Sequence, residues 1–213
     1  MAYKCVVFDF DGTLADTEEK AFNIYNQMAK KYKYRTVTKE ELQHIKNLHI
    51  KEIMEIVDIP FYRLPRMLSE GQKRMHEEMD SICAFNPEIK SFVDELCQIT
   101  THRGILTSNV EKTVNSFLTN YKIEEEFDFI LCSALLSKQR KIKKVLKKYN
   151  LKQEELLYVG DETRDIESCH KAGVDVAAVR WGYNTPLALE RCKPTYMVDS
   201  IWDIITIVKD KAE

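Results

Sequence analysis

The stretch CVVFDFDGT, residues 5–13, decides the fold. Its first four residues, CVVF, form an apolar run of the length and β-branched content typical of a buried strand. The residues that follow, DFDGT, place two carboxylates two positions apart and continue into the turn pair Asp11-Gly12. Because alternate side chains of an extended chain point to the same side, we expect Asp9 and Asp11 to project together from the end of this strand.

A turn alone would explain an isolated DFDGT, so the rest of the chain decides between a turn and a site. An EF-hand loop is excluded, because it needs Gly at its sixth position and Glu at its twelfth. Counted from Asp9, Gly12 is fourth and Lys20 is twelfth.

Outside this stretch, short apolar runs alternate with segments of helical period. The runs predict strands at 104–106, 129–132, 156–159, 174–179 and 196–198. Apolar residues at helical spacing predict helices over 89–99, 110–121, 142–149 and 166–172, with Gly173 ending the last of them. This alternation predicts an α/β fold, a Rossmann-like, doubly wound parallel sheet with helices on both faces.

Residues 15–84 break the alternation, because they contain helical patterns but no run typical of a strand. Thr38 and Glu41 form a capping box, and Pro60 and Pro65 punctuate the following helices. We therefore expect a core of residues 1–14 and 85–213 and an inserted helical cap domain of residues 15–84. Because open α/β sheets bind ligands at the carboxyl ends of their strands, an insert after the first strand is expected to act as a lid.

The composition limits the classes of function. The 213 residues are 44% apolar and 31% charged, with a net charge of −2, which predicts a soluble globular chain without general attraction to nucleic acid or membranes. No apolar run has the length of a signal peptide or membrane span. The six cysteines are dispersed and lack a C-x-x-C pair, which is typical of reduced core thiols in the cytoplasm. We expect a cytoplasmic monomer with no nucleic-acid or membrane partner.

Polar residues follow the second and fourth predicted strands as well as the first. Thr107, Ser108 and Asn109 come after the second strand, where hydroxyl groups and a helix N-terminus offer a site for a phosphate. Because the carboxyl ends of parallel strands meet at one edge, five side chains are expected to converge there: Asp9, Asp11, Thr107, Asp161 and Asp165.

Four carboxylates at one site repel one another, by about 4 kcal/mol for a pair about 4 Å apart at an effective dielectric constant near 20. They must bind protons or a cation. An all-oxygen set without His or Cys favours a hard cation, and an open site that also holds phosphate favours Mg²⁺ over Ca²⁺. Lys138, at the start of the helix after the third predicted strand, is expected to balance the phosphate charge, whereas the other basic residues of 138–148 are expected to face solvent.

Taken together, the motifs resemble the haloacid dehalogenase-like hydrolase superfamily with a helical cap. The resemblance rests on D-x-D-G-T at 9–13, Thr107 after the second strand, Lys138 before a helix and G-D-x-x-x-D at 160–165. Within the superfamily, Ala172-Gly173, the run VRWGYN at 179–184 and Lys193-Pro194 are similar to the phosphoglycolate phosphatase branch. Ser137 precedes Lys138 where this branch often has Gly, so Lys141 is an alternative position for the lysine.

The resemblance implies a Mg²⁺-dependent phosphatase that hydrolyses a small, phosphoglycolate-like phosphomonoester through an aspartyl-phosphate intermediate. It implies that Asp9 is the nucleophile, that Asp11 is the general acid and base, and that Thr107 and Lys138 contact the transferred phosphoryl group. Ser108 and Asn109 would bind substrate. The implied metal ligands are Asp9, the Asp11 carbonyl, Asp161 and Asp165.

Two other functions use similar residues, a β-phosphoglucomutase-like sugar phosphomutase and a receiver-like signalling module that stores an aspartyl-phosphate. The insert of about seventy residues opposes the receiver-like module. Dinucleotide, P-loop, serine-hydrolase and zinc-protease signatures are absent from the sequence. Substrate choice is expected to lie in the cap, whose basic residues would meet a small carboxylate: Lys46, His49, Lys51, Arg63 and Arg66.

Overall fold

The computed structural model describes residues 2–48, 50–78, 81–132 and 138–212. Within these residues, one sheet contains β1 (Cys5–Phe8), β2 (His102–Thr107), β3 (Phe129–Cys132), β4 (Leu156–Gly160), β5 (Asp175–Val179) and β6 (Tyr196–Val198). The strand order is β3-β2-β1-β4-β5-β6, and all neighbouring pairs are parallel. β1 therefore lies at the centre, between β2 and β4.

Helices connect the strands and fill the segment after β1. Between β1 and β2 lie α1 (Glu18–Tyr32), α2 (Lys39–Ile45), α3 (Ile50–Ile56), α4 (Leu64–Glu77) and α5 (Ile89–Ile99). The remaining helices are α6 (Glu111–Tyr121), α7 (Lys138–Lys148), α8 (Thr163–Ala172), α9 (Pro186–Arg191) and α10 (Ile201–Asp210). Gly173 ends α8 as predicted, with φ of 76° and its N–H bonded to the Cys169 carbonyl at 2.8 Å.

The two faces of the sheet bury separate apolar clusters. Val6 and Phe8 of β1 pack in a cluster with residues of α5, α6 and α10. Cys5 and Val7, which point to the other face, pack with residues of α7, α8 and α9. Helices thus cover both faces, which confirms the predicted Rossmann-like, doubly wound sheet.

The insert, helices α1 to α4, has a third apolar cluster of its own, formed by Val37, Ile45, Met54, Val57 and Ile59. α2 begins with the predicted capping box, in which the Glu41 N–H donates to Thr38 Oγ1 at 3.2 Å and the Thr38 N–H donates to Glu41 Oε2 at 2.9 Å. The division into a core of residues 1–14 and 85–213 and a cap of residues 15–84 stays a prediction.

The cysteines differ in part from the expectation. All six are free thiols, but only Cys5 and Cys169 are buried. Cys83 and Cys132 are exposed, so the expectation of core thiols is wrong for these two. Cys132 is the last residue of the edge strand β3, and Cys83 lies outside the helices and strands. Among the described helices, none has the length and apolar character needed to cross a membrane.

Candidate active site

Two neighbouring strands bring acidic residues to the same edge of the sheet. Phe8, the last residue of β1, pairs with Val159 of β4, and β4 ends one residue later. The residues that follow the two strands, Asp9 and Asp161, therefore leave the sheet next to each other. The Asp9 N–H donates to the Val159 carbonyl at 2.8 Å, which fixes this register beyond the end of β1. Asp165 lies in the first turn of α8, directly after β4.

Asp9, Asp161 and Asp165 form a carboxylate cluster. One carboxylate oxygen of each residue lies within 4.8 Å of the other two. Asp9 is 3% exposed, and Asp161 and Asp165 are fully buried. Because these groups are almost entirely removed from bulk water, their repulsion is screened less than at the surface.

Lys138 lies inside this carboxylate cluster. Its Nζ donates to Asp9 Oδ2 and to Asp165 Oδ1, both at 2.5 Å. Burial alone would lower the pKa of Lys138, but attraction to Asp165 and Asp9 raises it above its usual range, so the side chain is an ammonium group. Lys141, the alternative position, is half-buried elsewhere on α7, and the structure places Lys138 beside Asp9.

The carboxylate cluster contains more acidic groups than basic groups. One ammonium group faces three carboxyl groups, so ionisation of all three would leave an excess of two negative charges. Burial raises the pKa of Asp9 to about 8 despite the attraction of Lys138, and burial also raises the pKa of Asp161. Carboxylate oxygens are the ligands that hard divalent cations prefer, so the donor set and the missing charge both fit such a cation. That this cation is Mg²⁺ stays a prediction.

Both oxygens of Asp161 are held in place. Thr13 Oγ1 donates to Oδ1 and the Tyr183 N–H donates to Oδ2, each at 2.7 Å. Two glycines allow this close packing: a Cβ on Gly182 would lie 2.2 Å from the Asp161 Cβ, and one on Gly12 would lie 2.2 Å from Oδ2. Gly12 also has φ of 79°, which disfavours other residues.

Asp11 lies beside the carboxylate cluster but its side chain is not part of it. Asn109 Nδ2 donates to both carboxylate oxygens of Asp11 at 3.2 Å. Burial raises the pKa of Asp11 above its usual range, although hydrogen bonds from Asn109 and Thr17 oppose the shift. The predicted metal contact of Asp11, through its main-chain carbonyl, stays a prediction.

The residues after β2 adopt a tight turn next to Asp11. Thr107 is buried, and its Oγ1 accepts a hydrogen bond from the Asn109 N–H at 2.8 Å. Asn109 Oδ1 accepts from the Val110 N–H at 2.8 Å, so both ends of the Asn109 side chain are bonded within the protein. The Ser108 carbonyl accepts a hydrogen bond from Gln72 of α4, which ties the insert to this turn.

A cavity of about 310 Å³ opens beside Asp9 and Asp11. Ser108 and Asn109 also line this cavity. Their role in binding the substrate stays a prediction. The insert covers the cavity with side chains that are mostly apolar and come from α1, α3 and α4.

The positive charge expected in the cap does not line this cavity. Lys46 lies in an adjoining cavity and pairs with Glu18 at 2.7 Å. Arg63 and Arg66 lie over the rings of Tyr62 and Tyr32 instead. Lys51 is not among the described lining residues, and His49 lies outside the described residues.

Several residues of the site were not singled out from the sequence. Thr13 and Tyr183 hold Asp161, and Arg164 pairs with Glu162 at the wall of the cavity. Thr13 belongs to the D-x-D-G-T motif, but the sequence does not indicate its contact with Asp161, because the two residues are 148 positions apart. Gln72 has no signal of its own, because a single amide on a polar helix face is common.

The fold and the site together define a class of protein: a parallel α/β core with acidic residues after β1 and β4 and a helical insert after β1. The model of the haloacid dehalogenase-like hydrolase family matches residues 6–179. The chain belongs to the haloacid dehalogenase-like hydrolase family. The resemblance seen in the sequence and the prediction of an enzyme of this class are thereby confirmed.

Relatives with curated names cover nearly the whole chain at low identity. Phosphoglycolate phosphatase from Synechococcus elongatus is 24% identical over 206 residues, which are 96% of this chain and 97% of the relative. Pyrophosphatase PpaX from Bacillus cereus is 26% identical over 214 residues, which are 99% of this chain and 98% of the relative.

Solved structures share the whole fold. A predicted phosphatase from Clostridium acetobutylicum superimposes with a TM-score of 0.83 at 19% identity, covering 99% of this chain and all of that one. At this identity the match confirms the fold and leaves the substrate open.

Proposed function

We propose that the protein is a Mg²⁺-dependent phosphatase that hydrolyses small phosphomonoesters through an aspartyl-phosphate on Asp9. One observation carries the proposal: the Asp9 carboxylate faces Lys138, Asp161 and Asp165 within the sheet edge, and it lines a cavity together with Asp11. A candidate nucleophile, a neighbouring acid and a group of carboxylates that could hold a cation therefore meet at one opening. The curated relatives, one named a phosphoglycolate phosphatase and the other a pyrophosphatase, support hydrolysis of a phosphate compound.

In the first step, a carboxylate oxygen of Asp9 attacks the phosphorus atom of the ester. A bond forms between Asp9 and phosphorus, and the bond between phosphorus and the alcohol oxygen breaks. Protonated Asp11 donates its proton to the departing oxygen, which leaves as a neutral alcohol. The hydrogen bond from Asn109 to Asp11 keeps the acid aimed beside Asp9.

In the second step, water hydrolyses the aspartyl-phosphate. Asp11, now a carboxylate, takes a proton from the water as its oxygen bonds to phosphorus. The bond between Asp9 and phosphorus breaks, which releases inorganic phosphate and returns Asp9 to its carboxylate form. The same side chain of Asp11 thus serves as acid and then as base.

Asp9, Asp161 and Asp165 would hold Mg²⁺, together with the Asp11 carbonyl. When bound, the cation supplies the positive charge that lets a carboxylate approach an anionic phosphate. Lys138 would add a fixed positive charge at Asp9, and Ser108 and Asn109, which line the cavity, would orient the phosphoryl oxygens. Thr107 is not among the described lining residues, and its contact with the phosphoryl group stays a prediction. Thr13 and Tyr183 keep Asp161 oriented for its ligand role.

The direct test is phosphate release from purified protein. We expect inorganic phosphate from p-nitrophenyl phosphate and small alkyl phosphates with Mg²⁺, and at least about a 100-fold lower rate after chelation with EDTA. Added Mg²⁺ should restore the rate. The predicted phosphoglycolate-like substrate belongs in the same panel, since it stays one candidate among these esters.

Three results would contradict this proposal. Conversion of a sugar phosphate into its isomer without release of phosphate would indicate the phosphomutase. A stable phosphoprotein that persists for minutes with Mg²⁺ would indicate the receiver-like module. Unchanged phosphate release in EDTA would show that the reaction does not need a metal ion.

A further inference from the structure

We propose that the alcohol part of the substrate is apolar, so that the enzyme prefers phosphomonoesters of an alkyl or aryl alcohol to those of a small hydroxy acid. This inference rests on the proposed phosphatase function and names its substrate class. It follows from the walls, the size and the charges of the cavity beside Asp9.

The walls of the cavity are apolar away from the carboxylate cluster. Helices α1, α3 and α4 all contribute, and the apolar lining includes methionine, leucine and isoleucine side chains: Ile24, Met28, Met54, Met67, Leu68 and Met75. Methionine side chains adapt to different apolar shapes, which suits a pocket for a flexible or aromatic group. Binding of an apolar alcohol here would remove apolar surface of both the alcohol and the cavity wall from water.

The size of the cavity exceeds what a hydroxy acid of two carbons needs. Its volume of about 310 Å³ corresponds to about ten water molecules at roughly 30 Å³ each. A second cavity of about 360 Å³ adjoins it and shares the walls at Ala21, Tyr25, Ile53, Val57 and Leu68. Each volume lies at the lower end of the range of about 300–1,000 Å³ that is typical of sites for organic ligands.

The charges near the cavity disfavour a carboxylate on the substrate. Among the described lining residues of the two cavities, the cationic side chains are Lys46 and Arg164. Lys46 pairs with Glu18, and Arg164 pairs with Glu162. Each cation is therefore neutralised by a carboxylate of the protein, and an additional buried carboxylate would find no free positive charge there.

Gly71 offers a way to fill the cavity without disturbing its walls. It lies within α4 and lines the cavity, and a Cβ at this position would meet no heavy atom within 4 Å. A leucine at this position would occupy space that the substrate uses. Because glycine weakens a helix interior, the substitution also suits helix α4.

The experiment measures kcat/KM for ethyl, butyl and hexyl phosphate, and for phosphoglycolate, with Mg²⁺. Simple alkyl alcohols are similar leaving groups, so differences along the series report binding of the chain. We expect kcat/KM to rise about fourfold for each methylene until the cavity is full. Phosphoglycolate is expected to be a poorer substrate than butyl phosphate.

The variant Gly71→Leu should lose the dependence on chain length, with at least a tenfold lower kcat/KM for hexyl phosphate. The matched control is Ser69→Leu, which adds the same side chain at an exposed position of α4, and it should keep the rise along the series. A flat series, a preference for phosphoglycolate, or an unchanged rise in Gly71→Leu would overturn the inference while phosphate release still supports the proposed function. No phosphate from any ester would instead contradict the proposed function itself.

Discussion

Asp9→Asn is expected to lower kcat by at least about 10⁴-fold, because an amide nitrogen or oxygen does not replace the attacking carboxylate. The variant should still fold. Asparagine has nearly the same shape, but its single side-chain oxygen can replace only one of the two carboxylate oxygens, Oδ1 bonded to the Phe10 N–H or Oδ2 bonded to Lys138. Removing one of three buried carboxylates reduces repulsion within the carboxylate cluster, which offsets the lost hydrogen bond, so the melting temperature should change little.

The matched control is Asp16→Asn, the same change at an exposed position of the loop after β1. It should keep activity within about twofold of the wild type, because surface substitutions rarely act on a distant site. Phosphate release and thermal unfolding of both variants are the measurements. An Asp9→Asn variant that retains a tenth of the wild-type rate would exclude Asp9 as the nucleophile.

Lys138→Met is expected to lower kcat/KM by about 10²- to 10³-fold, the effect of losing one fixed charge at a reacting phosphoryl group. It should also destabilise the fold by about 3–5 kcal/mol, because Asp9 and Asp165 lose the ammonium group that they share. The melting temperature should fall by roughly 10 °C, which requires assays well below the transition.

Lys141→Met, one helical turn further along α7, is the matched control. It removes the same charge from a position outside the carboxylate cluster and should leave both kcat/KM and the melting temperature nearly unchanged. A larger loss of activity in Lys141→Met than in Lys138→Met would assign the catalytic lysine to position 141.

The fold and the meeting of the acidic residues were predictable because both follow from periodicity. Six short apolar runs separated by helical segments predict a parallel sheet, and parallel strands end at one edge. Asp9, Asp161 and Asp165 therefore lie together in the structure as expected. Lys138 was also predictable, since it stands at the start of a helix that follows a strand.

The contacts that hold the site were not predictable in the same way. Thr13 bonds to Asp161 only because β1 and β4 are neighbours, and the sequence does not give the order of strands. The lining of the cavity depends on which face each inserted helix turns to Asp9. Lys46 and Arg66 are basic, but Lys46 pairs with Glu18 and Arg66 lies over the ring of Tyr32. Both contacts are made within the insert, and the sequence does not show these partners.

The most direct test of Asp9 as the phosphorylated residue uses Asp11→Asn, which lacks the base needed to hydrolyse the intermediate. p-Nitrophenyl phosphate, whose leaving group needs no proton, is mixed with this variant and Mg²⁺, quenched in acid, digested and analysed by mass spectrometry. The account predicts one phosphoryl group on the peptide that contains Asp9, and none when Asp9→Asn is added to the variant. A phosphoryl group on any other residue, or its persistence in the double variant, would contradict the account.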